Sequence, residues 1–315
     1  MQRIKHLAVL AVAVVLVASV AQAQSYPNKA IRVIVPQAAG GGSDLVARIM
    51  STEIEKRLGQ PFVVDNRPGG NDSIAPDVVA KAPPDGYTLG IVSSSFSINQ
   101  TSVGIKLPYD SQKDFTPIAP MVRIPMVVMV NTALGVNDLR SLVALSRSQP
   151  GKFNYGSAGP TTFGGMATEW LMRTSGASFT SITYGGPGIL QGLITGDLQL
   201  LFGGLAAASP TLQTGKAKVI AVTSAQRMTK LPEIPTVAET YPGFEVVPFY
   251  GFVAPAGTPA EIVAKLNTAI GESIAAITPR LLDMGDEPLR MSPAEFKAFL
   301  ARDLATWNKI VEAVK

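Results

Sequence analysis

From Ile31 onward, short β-branched apolar runs alternate with stretches whose apolar residues recur every three or four positions, and few architectures accommodate that alternation. Repeated strand–helix units build a mostly parallel sheet with helices on both faces, an α/β fold. Ile31 to Pro36, Phe62 to Val64 and Thr88 to Val92 read as strands; Asp44 to Leu58 and a segment near Asp77 to Lys81 read as helices. In the first helix Val46, Met50, Ile54 and Leu58 form a stripe that Leu45 and Ile49 widen, and Gly59 with Pro61 ends it.

Pro117 to Val130 reads as one extended strand, long enough to link two lobes, and a second strand–helix series follows. Helices are expected near Leu139 to Arg147 and Ala167 to Arg173, with strands ending at Asn154 to Ser157 and lying near Ser181 to Tyr184, Leu198 to Phe202 and Lys218 to Thr223. After the Pro-rich stretch Leu231 to Pro242, Phe249 to Ala254 suggests a second long strand. Two helices then open on Thr258-Pro259-Ala260-Glu261 and Ser292-Pro293-Ala294-Glu295, each offering a capping hydroxyl, a proline at the first helical position and a glutamate at the third. This tail is expected to return to the first domain, so that residues 24–124 plus 245–315 enclose a second domain of residues 125–244 across a hinged cleft. Two independent sequential domains would show the same pattern.

The N-terminus carries positive charge at Arg3 and Lys5, an apolar run from Leu7 to Val20 and the small-residue triplet Ala21-Gln22-Ala23. That order is a signal peptide over residues 1–23, with cleavage after Ala23 and export to the periplasm. The run is shorter than the roughly 20 residues of a permanent span. Because the leader takes two basic residues with it, the formal charge of +4 shrinks towards neutrality, and nothing points to nucleic acid or a membrane surface. The chain has no Cys, and its single His, His6, lies in the leader. Thiol nucleophiles, Ser-His-Asp relays, histidine acid–base chemistry and ordinary zinc sites are thereby excluded from the mature chain. No enzyme activity, cofactor or metal is expected.

The sharpest local signal is Val35-Pro36-Gln37-Ala38-Ala39-Gly40-Gly41-Gly42-Ser43-Asp44, a strand running into a glycine-rich loop and a helix. Its backbone N–H groups can face an anion; alternatively the loop is a tight turn whose Ser43 or Asp44 caps the helix. Asp44 would repel a carboxylate, so capping or holding a bridging water suits it best. Gly156-Ser157-Ala158-Gly159-Pro160-Thr161-Thr162 and Tyr184-Gly185-Gly186-Pro187-Gly188 follow later strands, where open α/β sheets bind ligands, although such residues are also ordinary turn formers. The candidate contacts are Gln37, Ala39, Gly40, Gly41, Gly42, Asp44, Ser94, Ser157, Thr161, Thr162, Tyr184, Gly185 and Gly186. Arg67 in Asn66-Arg67-Pro68-Gly69-Gly70 reads as a loop brace before a carboxylate clamp, and Trp170 and Trp307 read as core.

The chain resembles the Bug/TctC family, the periplasmic solute receptors of tripartite tricarboxylate transporters. The resemblance rests on Tyr26-Pro27, Pro36 to Asp44, Leu58-Gly59-Gln60-Pro61, Asn66-Arg67-Pro68-Gly69, Ala82 to Leu89, Leu107-Pro108-Tyr109-Asp110, Lys113-Asp114-Phe115, Pro150 to Ser157, Ala221 to Ser224, Leu231 to Glu239 and Ala254 to Pro259. It implies a two-domain Venus-flytrap fold (type II-like), no catalysis, no cofactor, and a ligand carboxylate held largely by backbone donors and bridging waters. The implied partners are a small carboxylate and the membrane subunits of the transporter, with the receptor a monomer that binds no nucleic acid. Gln37 to Asp44 and Tyr184-Gly185-Gly186 would clamp the carboxylate, and Ser157, Thr161 and Thr162 would face the rest of the ligand. The loop start Pro36-Gln37-Ala38-Ala39 departs from the family's pattern, and departures at Gly165, Tyr184-Gly185-Gly186 and Gly203-Gly204 remove polar reach and favour a monocarboxylate or an aromatic acid over citrate. A ligand sensor that signals to a membrane kinase is the alternative role.

Overall fold

The computed structural model describes residues 26–102, 106–159, 161–184 and 188–314. The expected leader with its cleavage site, and Gly185 and Gly186, lie outside them. The first sheet begins with β1 (Ile31–Val35), α1 (Gly42–Leu58), β2 (Phe62–Asn66), α2 (Ile74–Ala80), β3 (Thr88–Ser93), α3 (Ser94–Thr101) and β4 (Phe115–Arg123). The second sheet is built from β5 (Met126–Asn131), α4 (Leu139–Ser148), β6 (Asn154–Ser157), α5 (Phe163–Ser175), β7 (Thr180–Thr183), α6 (Gly188–Thr195), β8 (Leu200–Gly204), α7 (Leu205–Gln213) and β9 (Ala217–Val222). The chain then returns to the first sheet with β10 (Phe249–Pro255), α8 (Ala260–Asp283), β11 (Glu287–Pro288) and α9 (Pro293–Val314).

Strand order is β11-β4-β10-β3-β1-β2 in the first sheet and β7-β6-β8-β5-β9 in the second. Neither is wholly parallel. β1 pairs in parallel with β2 and β3, whereas β10 runs antiparallel to both β3 and β4. The reason is directional: β3 and β4 run towards the junction between the lobes, and a strand returning from the other lobe must run the opposite way. β5, which enters the second sheet from that junction, is likewise antiparallel to β8 and β9.

Helices cover both faces of each sheet, so the strands read as nearly continuous apolar runs. Ile31, Val33 and Val35 pack with Met50 and Ile54 of α1 and Leu266 and Ile270 of α8, while Ile34 packs on the opposite face with Val79, Phe96 and Phe296. In β5, Val128 and Val130 face one core and Val127 and Met129 the other. Each such side chain, fully buried, contributes about 1.5–3 kcal/mol. Trp307, Ile310 and Val311, near the end of α9, are buried in the core of the second sheet, so the last helix serves both lobes. Trp170 stacks on Phe244 with ring centroids 4.6 Å apart.

The structure corrects several sequence expectations. Pro117 to Val130 is two strands in two sheets, broken at Ile124-Pro125, where proline cannot donate to a ladder. At the break the Ile124 N–H donates to Pro248 O (2.7 Å), tying the two crossing segments together. A helix, α3, opens directly after β3 where none was expected: Ser93 caps it, its hydroxyl accepting from the Ser95 N–H. The short helices α6 and α7 were not expected, because glycines and Pro210 obscure their periodicity. Ser292 and Glu295 form the expected reciprocal cap. Thr258 does not cap α8; its hydroxyl donates to Pro255 O (2.8 Å), and the helix starts one residue later than expected.

Asp286, 5% exposed beside β11, has its carboxyl pushed up by burial from 3.8 to about 7. A carboxyl with a raised folded-state pKa adds stability that is full below the unfolded value and lost as pH rises through the folded value. Asp286→Asn is expected to melt with wild type near pH 4 and to be more stable above pH 7, by on the order of 1–3 kcal/mol in thermal melts.

Candidate ligand-binding site

The C-terminal ends of β1, β2 and β3 face the second lobe, with loops after β1 and β2 and α3 directly after β3. The first is fixed by its own backbone: the Gly41 N–H donates to Ala38 O (2.9 Å), and Gly40 sits at φ +82°, where a Cβ would be strained. Gly41 is the N-cap of α1 and supplies no side chain. Gln37 takes that role, its Oε1 accepting from the Ser43 N–H (2.9 Å) and from the Tyr250 hydroxyl (3.4 Å). Gly42 permits this, since a Cβ there would lie 2.8 Å from the Tyr250 hydroxyl oxygen.

Asp44, 2% exposed, is the brace of this loop. Its Oδ2 accepts from the Gly40 N–H (2.9 Å) and Arg48 Nε (3.0 Å), and its Oδ1 accepts from Asn66 Nδ2 (2.9 Å). Asn66 also donates to Gln37 O (2.8 Å), so the end of β2 holds the loop after β1. Burial alone would raise the Asp44 carboxyl; the bonds from Arg48, Gly40 and Asn66 outweigh it and hold the group below its usual 3.8. Arg67 is likewise committed, donating to the Asp65 carboxylate (3.0 Å).

In the second lobe Ser157 ends β6, and its hydroxyl accepts from the Gly159 N–H (3.3 Å). Thr162 caps α5, donating to Gly159 O (2.7 Å) and accepting from the Gly165 N–H (3.4 Å). Tyr184 leaves β7 with its N–H on Ser157 O (2.9 Å), and its ring packs against Gly188 and Gly192 of α6. Ala39 and Gly40 are exposed at the loop tip. Ser94 is turned away from the loops: it is fully buried, and its hydroxyl donates to Asp303 Oδ1 of α9 (3.2 Å).

Residues not singled out in the sequence complete the junction. Thr161 donates to Asn99 Oδ1 (2.7 Å) across the lobes, and the Phe163 N–H donates to Ser95 Oγ (3.4 Å). The Phe163 and Tyr250 rings meet edge to face at 6.5 Å. Asn71 abuts Gly159, and Asp72, 8% exposed, lies beside Ser95. The serine run was a signal for this place, shifted by one residue; Asn71 and Asp72 carried none beyond following two glycines. Among the described residues no group of three or more His, Cys, Asp or Glu could hold a metal ion. An open cavity of about 570 Å³ on the first lobe, lined by Asn267, Glu272, Arg290 and Glu295 among others, includes none of the expected site residues.

The tripartite tricarboxylate transporter family receptor (TctC) profile matches residues 46–315. The chain belongs to this family. It is similar to the protein BugT of Bordetella pertussis, with 30% identity over 94% of this chain and 92% of that one. Two solved structures of Rhodopseudomonas palustris proteins superpose closely. Rpa4515 with adipate has a TM-score of 0.88 and 32% identity, covering 92% of this chain and 98% of that one. MatC with bound malate has a TM-score of 0.85 and 30% identity, covering 91% and 100%. The TctC receptor fold is therefore the two-lobed periplasmic-binding-protein fold, with the junction between its lobes.

Because Asp44 has a depressed carboxyl, its contribution is present above about pH 4 and lost as pH falls through its folded value. Asp44→Asn is expected to lose about 1–3 kcal/mol of stability at pH 7, with the difference from wild type narrowing below pH 4 in denaturant titrations.

Proposed function

We propose that this chain is a periplasmic receptor whose lobes, residues 24–124 plus 245–315 and residues 125–244, close over a small organic carboxylate. It then presents the ligand to the membrane subunits of a tripartite transporter. What supports this reading is that segments following β1, β2, β3 and β6 of two sheets meet at one junction, bonded across it by Thr161 to Asn99 and by the Phe163 N–H to Ser95, with the two crossings tied where Ile124 meets Pro248. The adipate and malate named for the two R. palustris relatives support a carboxylate. The glycine-rich loop Gln37 to Gly42, Ser157, Thr161, Gly185 and Gly186 are the ligand contacts in this reading. Asp44 and Thr162 hold those loops in shape. The reading is of a binder and not an enzyme: Cys is absent from the sequence and the single His is His6. A pocket with so little cationic reach favours a monocarboxylate or an aromatic acid over citrate.

Saturating ligand stabilises a receptor by RT ln(1 + [L]/Kd), about 2.7 kcal/mol at a hundredfold excess over Kd. Residues 24–315 are expected to show a clear melting shift with one or more members of a panel of aliphatic and aromatic carboxylates, and none with citrate. Silence across that panel and across amino acids as well, or a ligand consumed on incubation, would sink the receptor reading.

A further inference from the structure

Two consecutive residues of the first lobe are held in a conformation that side chains disfavour. Asn71 (φ 55°) and Asp72 (φ 67°) both lie in the left-handed region, in the turn between β2 and α2. Tertiary contacts hold the turn there. Asn99 Nδ2 donates to Asn71 O (2.6 Å), Asn99 Oδ1 accepts from Thr161 of the other lobe (2.7 Å), and Gly159 lacks the Cβ that would collide with Asn71 Oδ1. The outcome is a carboxyl placed under the lobe junction. Asp72 Oδ2 is buried without a hydrogen-bond partner. Ser95, which lies beside the carboxyl, also accepts the Phe163 N–H from the second lobe (3.4 Å). The Tyr109 and Tyr250 phenols face the same group; burial, then its charge, drives both upward.

A buried carboxylate oxygen without a donor is unfavourable. Burial raises the Asp72 carboxyl to about 6, so it is largely ionised at neutral pH. We propose that Asp72, with Ser95, is the subsite for a protonated amino group of the ligand, so that this receptor takes an amino-carboxylate zwitterion in preference to a plain carboxylate. The inference rests on the receptor reading above and narrows its ligand class. An ammonium supplies the missing donor and cancels the buried charge, whereas a second or third carboxylate is repelled by it. The loop Gln37 to Gly42 meets the ligand carboxylate, and Asp72 meets its opposite charge.

Matched pairs on one carbon skeleton test this: phenylalanine against 3-phenylpropionate, 4-aminobutyrate against butyrate, and alanine against propionate, each titrated calorimetrically at pH 7.5. The expected result is at least tenfold tighter binding of the amino member in one or more pairs. Asp72→Asn should abolish that preference, since asparagine tolerates the same left-handed backbone. Its melting temperature without ligand should be unchanged or higher, because the variant removes a buried charge. Asp77→Asn, which removes a carboxylate paired to Lys81 on the next helix, should leave the preference intact. Plain carboxylates binding as tightly as their amino partners, or an Asp72→Asn variant that keeps the preference, overturns the inference and leaves the receptor reading standing. No binding by any member of any pair, or by adipate or malate, overturns both.

Discussion

The structure depends on one topological constraint: the chain crosses twice between two sheets, and the crossings are hydrogen-bonded to each other where Ile124 meets Pro248. A strand leaving a lobe and a strand entering it must run in opposite directions. β10 is therefore antiparallel to β3 and β4 in the first sheet, and β5 is antiparallel to β8 in the second. The same constraint aims the parallel strands of both sheets at the junction. The loops after β1, β2 and β6 and the start of α3, distant in sequence, become neighbours for that reason.

Within the junction, rigidity and recognition fall to different residues. Asp44, Asn66 and Arg48 satisfy one another and the Gly40 and Gln37 backbone, leaving no open acceptor at the carboxylate and a loop of fixed shape. Asp72 is the opposite case, a buried carboxyl with an open oxygen on a strained turn. The first arrangement is what a structural brace looks like, and the second is what a group awaiting a partner looks like. Asp303 sits between them, bonded by Ser94 yet raised to about 6 by burial, on the helix that joins the two cores.

Much of the fold was legible in the sequence. Strands bearing β-branched runs and helices with wide stripes, such as Val46 to Ile54, followed from local periodicity. Boundaries failed where local signals conflicted with packing. Thr258-Pro259-Ala260-Glu261 has the pattern of a reciprocal cap, yet Thr258 bonds back to Pro255 and α8 starts later. α3 was hidden because three consecutive serines look like a loop, and it forms because Ser93 caps it and Phe96 and Ile98 find cores on two sides. The glycine-rich loop was legible, but Asp44, which reads in sequence as a helix cap or the holder of a bridging water, is instead a brace bonded to Gly40, Arg48 and Asn66.

The sequence by itself determined that the chain is an α/β protein, that cysteine and mature-chain histidine chemistry are unavailable to it, and which turns follow its strands, because these depend on residue type and local spacing. Tertiary structure alone decided that the tail returns to the first sheet, that Ser95 and not Ser94 faces the second lobe, and that Asp72 lies buried between them. Those outcomes depend on contacts between residues as far apart in the chain as Gln37 and Tyr250, or Asn71 and Gly159. No local pattern encodes such contacts; the first exists only once β10 has returned to the first sheet, and the second only once the two lobes meet.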